Sequence, residues 1–193
     1  MTQPTQDDAR RQLLDLLARE AYFEEKIVLS SGKTSDYYID ARRVTLHARG
    51  TALCARVVLD LIADLDPDAI GGPTLGADPM IGAISVLRFQ EGRAINTFLI
   101  RKAPKAHGRQ QQVEGPLLEK GARVVLIDDV ATTGKAFLQS LDVLEPLGVE
   151  VIRAVCLVDR GEGAKEAVAA RGCELVAAFE VDEVRQQAGR VKG

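Results

Sequence analysis

Residues 124–137 read VVLIDDVATTGKAF. Four apolar residues run directly into two adjacent carboxylates, Asp128 and Asp129. Thr132, Thr133 and Gly134 follow, and a helix-like pattern then begins. The apolar run has the form of a buried strand, so the acids stand at its carboxyl end, where open parallel sheets bind ligands. The turn after them opens a helix, whose unpaired N–H groups and dipole suit a phosphate. The two threonine hydroxyls add donors. Carboxylates for vicinal hydroxyls, or for a metal, therefore stand beside a phosphate cradle, and the matching ligand is a sugar phosphate with a diol. Two blander readings stay open on spacing alone. Strand-end Asp pairs also serve as magnesium sites in phosphoryl-transfer domains, and a strand-end Asp also caps a helix. A P-loop is disfavoured, because the two Gly-Lys pairs, Gly32-Lys33 and Gly134-Lys135, lack the GxxxxGK[ST] spacing.

A second chemical cluster is RKAPKAHG, residues 101–108, which holds Arg101, Lys102, Lys105 and His107. The chain as a whole carries a net charge of −3, so this is a local basic patch rather than part of a general nucleic-acid surface. By itself it reads as a solvated charged loop. Cys54, Cys156 and Cys173 are scattered, odd in number and without metal-ligand spacing, which suits buried or free thiols in a reducing cytosol. No apolar run approaches the roughly 20 residues that span a bilayer, and the N-terminal MTQPTQDDARRQ lacks an apolar signal core. The expectation is a cytoplasmic protein that engages neither nucleic acid nor membrane.

The elements that must position these residues follow from periodicity. Asp8–Glu20 predicts an amphipathic helix and Gly50–Leu65 a second, with Leu53, Val57, Leu61 and Leu65 at four-residue spacing. Asp78-Pro79 opens a third, with proline well placed in a first turn. Strands are expected at Ala69–Gly71, Ile95–Lys102, Arg123–Val130, Val151–Asp159 and Leu175–Val181, with helices at Lys135–Leu147 and Ala164–Ala170. Residues 103–116 are polar, hold two prolines and two glycines, and read as a loop. This alternation predicts an α/β fold, an open and mostly parallel sheet flanked by helices. The apolar strands lack strict alternation, as expected for burial on both faces. Residues 22–43 differ in texture: short β-like runs, Ile27–Leu29 and Tyr37–Asp40, flank a Ser-Gly-Lys turn at 31–33. The 193 residues suit one domain, with residues 1–45 and the C-terminal tail as a small cap, or hood, over a core of about 46–181.

The acid run and turn resemble the phosphoribosyl-pyrophosphate (PRPP) signature of type I phosphoribosyltransferases. The resemblance implies that Asp128 and Asp129 hold the ribose 2- and 3-hydroxyls and that Val130, Ala131, Thr132, Thr133, Gly134, Lys135 and Ala136 form the 5-phosphate turn. Lys135 stands where the family usually has Ser or Thr. RKxxKxHG resembles the catalytic loop of the orotate phosphoribosyltransferases. Beside a PRPP site, Arg101, Lys102, Lys105 and His107 become cations placed where charge develops on a pyrophosphate leaving group, in a loop able to close and exclude water. After Gly108 the family often continues with acid and glycine, whereas this chain has Arg109 and Gln110–Gln112.

Three further pieces carry the likeness. VLSSGKTSDYYIDARR, residues 28–43, is similar to the family's N-terminal hood and puts Tyr38 and Ile39 where members pack on the orotate ring; Ser30 replaces a lysine of some members. In LVDR, residues 157–160, Arg160 takes the position that pairs with the orotate carboxylate. GGPTLGADP, residues 71–79, is similar to the pyrophosphate loop, with Leu75 and Gly76 where some members have lysine, which leaves more of the work to backbone amides. Thr132 is also expected near the base. The resemblance implies an orotate phosphoribosyltransferase using PRPP and Mg²⁺, the metal held mainly through PRPP, in pyrimidine biosynthesis. It also implies a homodimer whose basic loop is shared across the interface. The rivals are a phosphoribosyltransferase for another base and a non-catalytic PRPP-sensing regulator.

Overall fold

The computed structural model describes residues 6–28, 34–103 and 112–192. Its centre is the apolar run that precedes the acids. Val124, Val125, Leu126 and Ile127 are fully buried in strand β8 (Arg123–Ala131), and Ala154–Val158 are fully buried in β9 (Glu150–Asp159). Side chains of a strand alternate between faces, and here both faces are covered. Val125, Ile127, Val155 and Leu157 enter one core, while Val124, Leu126, Ala154 and Cys156 enter another. The first core is closed by α1 (Gln6–Leu16), α3 (Ala48–Leu61), α4 (Asp78–Gln90) and α7 (Val181–Lys192). The second is closed by α5 (Lys135–Leu144) and α6 (Ala164–Ala169). Each large apolar side chain removed from water contributes about 1.5–3 kcal/mol. The unbroken run 124–127 is therefore legible as a two-sided strand.

The six-stranded sheet includes β5 (Ala69–Pro73), β6 (Asn96–Ile100), β7 (Val113–Glu114) and β10 (Leu175–Glu180), in the order β10-β9-β8-β5-β6-β7. All pairs are parallel except β6 with β7. From β5 the chain winds outward through β6; from β8 it winds the other way through β9 and β10. The switch point thus lies between β5 and β8, and the crevice beyond their carboxyl ends is the favoured ligand position.

The N-terminal segment builds a layer at that end. A wide turn at Leu17–Ala21 leads from α1 into β1 (Tyr22–Phe23), which pairs antiparallel with β4 (Tyr38–Ile39). A second small pair joins β2 (Ile27–Val28) to β3 (Thr34–Ser35), and a short α2 (Arg42–Thr45) follows β4. The 31–33 turn lies outside the described residues.

Two expectations need correction. The expected loop 103–116 contains β7, where Ile100 pairs with Val113 and Leu99 with Glu114. Arg101 N–H also donates to Gln112 O at 2.8 Å. A two-residue edge strand needs backbone pairing more than an apolar pattern, so periodicity did not mark it. The strand expected to end at Val181 ends at Glu180, and the tail is the helix α7. Val181, Val184 and Ala188 are its buried stripe. Its ties are polar as well: Lys192 Nζ donates to Tyr22 O at 2.6 Å, and Arg185 lies 2.9 Å from Asp36.

Candidate active site

The acids sit where the sheet argument puts them. Asp128 is buried, and its Oδ1 accepts the Asp129 N–H at 2.9 Å. Asp129 Oδ1 accepts the Val130 N–H at 2.8 Å. These local bonds fix both carboxylates with oxygens to spare. Burial pushes the Asp128 carboxyl well above the usual range, and the neighbouring Asp129 charge pushes it further; the positive charge of Lys102 offsets part of this. Asp129 is also raised, first by burial, while the Val130 N–H, the Asp128 contact and Arg42 oppose the rise. Two like charges held side by side in a low-dielectric place favour a ligand that brings hydroxyl donors or a cation.

Gly76 closes over the pair. A Cβ there would lie 2.1 Å from Asp128 Oδ1 and 2.7 Å from Asp129 Oδ1. No side chain fits, so the loop after β5 approaches the acids as bare backbone. The Thr74–Leu75 peptide in this loop is cis.

These elements enclose a cleft of about 690 Å³. Asp128 and Asp129 form its floor, with Thr74, Leu75 and Gly76 on one side and Lys135, Ala136, Gln139 and Ser140 on another. Arg101, Lys102 and Gln112 stand at the stems of the basic loop, and Arg42 faces in from α2. Next to it, Val130, Ala131, Thr132, Thr133, Gly134, Lys135 and Ala136 wrap a smaller hollow of about 150 Å³. Gly134 turns there with φ 77°, and its missing Cβ would lie 3.2 Å from Ala164 O. Glycine is therefore required both for the turn and for its close fit to α6. The result is a ring of backbone N–H groups at the start of α5, suited to an anion.

The other expected residues are distributed as follows. Lys105, His107 and Ser30 lie outside the described residues. Arg160 follows β9 and lies outside the lining of the cleft around the acids. Its N–H donates to Ala131 O at 2.9 Å, which ties it to the phosphate turn. Its guanidinium is 4.8 Å from the centre of the Tyr37 ring, and Nε lies 3.0 Å from Glu162 Oε1 in an ion pair without hydrogen-bond alignment. Tyr38 stacks on Phe23 with ring centres 6.3 Å apart. Ile39 belongs to the core, with 6% of its surface exposed, and does not line the cleft around the acids. Arg42, Gln139 and Ser140 were not singled out from sequence: Arg42 lies within the recognised hood segment 28–43 but was given no role there, Gln139 and Ser140 belong to no motif, and the fold brings all three to the cleft.

The chain matches the phosphoribosyl transferase domain model over residues 44–186. An orotate phosphoribosyltransferase of Nostoc sp. is 42% identical over 178 residues, covering 92% of this chain and 86% of the relative. One from Streptomyces avermitilis is 42% identical over 179 residues, covering 92% and 98%. Among solved structures, the Mycobacterium tuberculosis orotate phosphoribosyltransferase in complex with PRPP superposes with a TM-score of 0.76 at 35% identity, covering 91% of this chain and 98% of that one. The sheet order, the acid pair at its switch point and these likenesses agree: the chain belongs to the phosphoribosyltransferase family and, within it, to the orotate phosphoribosyltransferases.

Proposed function

We infer that this protein transfers the 5-phosphoribosyl group of PRPP to orotate, giving orotidine 5-phosphate and pyrophosphate, in pyrimidine biosynthesis. The observation that carries this reading is the buried acid pair at the β5–β8 switch point, roofed by Gly76 and flanked by the anion-binding turn at 132–136. Asp128 and Asp129 accept the two ribose hydroxyls, and the turn holds the 5-phosphate. The diphosphate then extends toward Thr74–Gly76 and Lys102. Arg101, Lys102, Lys105 and His107 answer the charge on the departing pyrophosphate. Orotate nitrogen attacks the anomeric carbon with inversion as the carbon–oxygen bond to pyrophosphate breaks, through a transition state of oxocarbenium character. The protein positions both substrates and stabilises charge; no covalent intermediate with the chain is needed.

Mg²⁺ fits this site as a companion of the substrate. The described residues hold no cluster of three or more metal-ligating side chains. Two raised carboxylates beside a diphosphate site suit a cation bound through one or two acids plus phosphate oxygens. Mg²⁺ would be held mainly through the oxygens of PRPP beside Asp128 and Asp129, and when bound it would neutralise charge on the diphosphate.

Arg160 is the proposed partner of the orotate carboxylate. Tyr37 lies under its guanidinium and Glu162 occupies its Nε edge, which leaves the terminal nitrogens for a bidentate contact. Tyr38 and Ile39 are the proposed hood residues toward the ring, and Thr132 the proposed contact from the turn. Arg160→Lys is expected to raise the KM for orotate at least about tenfold, with little change in the KM for PRPP, because lysine cannot make two parallel bonds. Steady-state kinetics with each substrate varied checks this. Equal effects on both would assign Arg160 to the fold.

A homodimer completes the proposal, with the 103–116 segment of each chain serving the partner's site. Val86 and Phe89, 56% and 75% exposed and one turn apart on α4, support a self-association surface on that helix. The cytoplasm remains the proposed location. The three cysteines are free and buried thiols, and no helix among the described residues is long and apolar enough to cross a membrane. The functional reading is tested by incubating the protein with orotate, PRPP and Mg²⁺ and identifying the product by mass. Orotidine 5-phosphate is expected; unchanged orotate would reject the assignment.

A further inference from the structure

The geometry points to Arg42 as a further PRPP-binding residue, one whose guanidinium meets the diphosphate from the hood side of the cleft. This deepens the functional reading above and rests on it. Arg42 opens α2 directly after hood strand β4, and among the described residues lining the cleft it alone comes from the N-terminal segment. Its Nε is held 2.8 Å from Asp40 Oδ1, and the same oxygen accepts the Arg42 N–H at 3.3 Å. Among the described residues only Nε of this guanidinium is paired, so the anchor fixes its direction and leaves the terminal nitrogens as donors. The side chain is half exposed, open to a ligand arriving in the cleft.

The orientation of the substrate follows from the other parts. With the 5-phosphate at residues 132–136 and the ribose hydroxyls on the acids, the substituent at the anomeric carbon points away from that turn. Thr74, Gly76, Lys102 and Arg42 line the cleft around the acids and are not part of the turn. Lys102 reaches in from the end of β6, and Arg101 beside it is 3.6 Å from Glu114. Leu75 contributes no charge. A diphosphate placed there faces backbone on one side and Lys102 on another, and Arg42 supplies the cation on the third. Within the cleft the same guanidinium acts on Asp129, whose carboxyl it holds down against the effect of burial. Arginine suits the task, since its planar fork stays charged and matches phosphate oxygens.

The experiment is calorimetric titration of wild type, Arg42→Ala, Arg42→Lys and Asp40→Asn, with Mg²⁺, against inorganic pyrophosphate, PRPP and orotidine 5-phosphate. Orotidine 5-phosphate carries the ribose and 5-phosphate but no diphosphate. Arg42→Ala is expected to weaken pyrophosphate and PRPP by about tenfold or more and orotidine 5-phosphate by less than about twofold. Arg42→Lys should recover part of the loss. Asp40→Asn, which loosens the anchor and keeps the guanidinium, should show a smaller loss of the same pattern. Equal weakening of all three ligands would make Arg42 a support for the acids and overturn the assignment, as would unchanged pyrophosphate affinity. Wild-type protein that binds neither PRPP nor orotidine 5-phosphate would overturn the functional reading itself.

Discussion

Asp128→Asn and Asp129→Asn are each expected to lower kcat/KM for PRPP by roughly ten- to a hundredfold while making the protein more resistant to heat. The activity loss follows from the site. In the proposed reading each carboxylate accepts a ribose hydroxyl in a buried setting, and a hydrogen bond to a charged group contributes about 1.5–3 kcal/mol. Asparagine keeps the size and the local bond from the next N–H but loses the charge and half the acceptor capacity. The stability gain follows from the raised carboxyls. A carboxyl raised in the folded state binds more protons there than in the unfolded chain. Stability therefore falls as pH rises from the unfolded range through the folded value, and at neutral pH the ionised pair is a cost. Removing one charge lifts that cost, and for a chain of this size each kcal/mol is worth about 2–4 °C in Tm. Thermal melts at neutral pH and steady-state kinetics check both halves. Full activity in both variants would remove the acids from the site; a drop in Tm for both would contradict the strain between them.

Much of this site was legible because its parts are local in sequence. The run Val124–Ile127, the acids and the turn at 132–134 occupy eleven consecutive positions, and the apolar run declares a two-sided strand whose end they share. The loop Gly71–Pro79 was recognisable by resemblance. Its closeness to the acids was not, because the contact of Gly76 with Asp128 depends on β5 lying beside β8 across more than fifty residues of chain. Arg42 was hidden for the same reason. It stands in the hood segment that was recognisable by resemblance, but nothing in that segment says which cleft it faces, and its place there emerges only when the hood is set over the sheet. The edge strand β7 and helix α7 were obscure for different reasons. The first is only two residues long and is set mainly by backbone pairing, and the buried stripe of the second is only Val181, Val184 and Ala188 in an otherwise polar stretch. Ile39 shows the converse. Its place in a recognised segment suggested a ring contact, whereas its side chain packs into the core.

Mixing two inactive variants is expected to restore activity. Asp129→Asn removes an acid of the cleft, and Lys105→Ala removes a cation of the basic loop. Each homodimer should be nearly inactive, because both of its sites carry the defect. If each loop serves the partner's site, a mixed dimer collects both defects in one site and leaves the other whole. Equal amounts with random exchange make half of the dimers mixed, so about a quarter of all sites should be intact, as two-fold symmetry requires. The check is activity of the exchanged mixture against each variant alone, with mixed dimers verified by native mass. Verified exchange without recovery would place the loop over its own chain's site and end the shared-site model.

The central claim is the choice of base, and it is tested most directly by a panel. Purified protein is given PRPP and Mg²⁺ with orotate, uracil, adenine, guanine and hypoxanthine in separate reactions, and pyrophosphate release is followed. The account predicts release with orotate and little above background with the others, since its proposed partner for Arg160 is a carboxylate that only orotate carries. Preferred turnover of another base, or no release with any base despite PRPP binding, would contradict it.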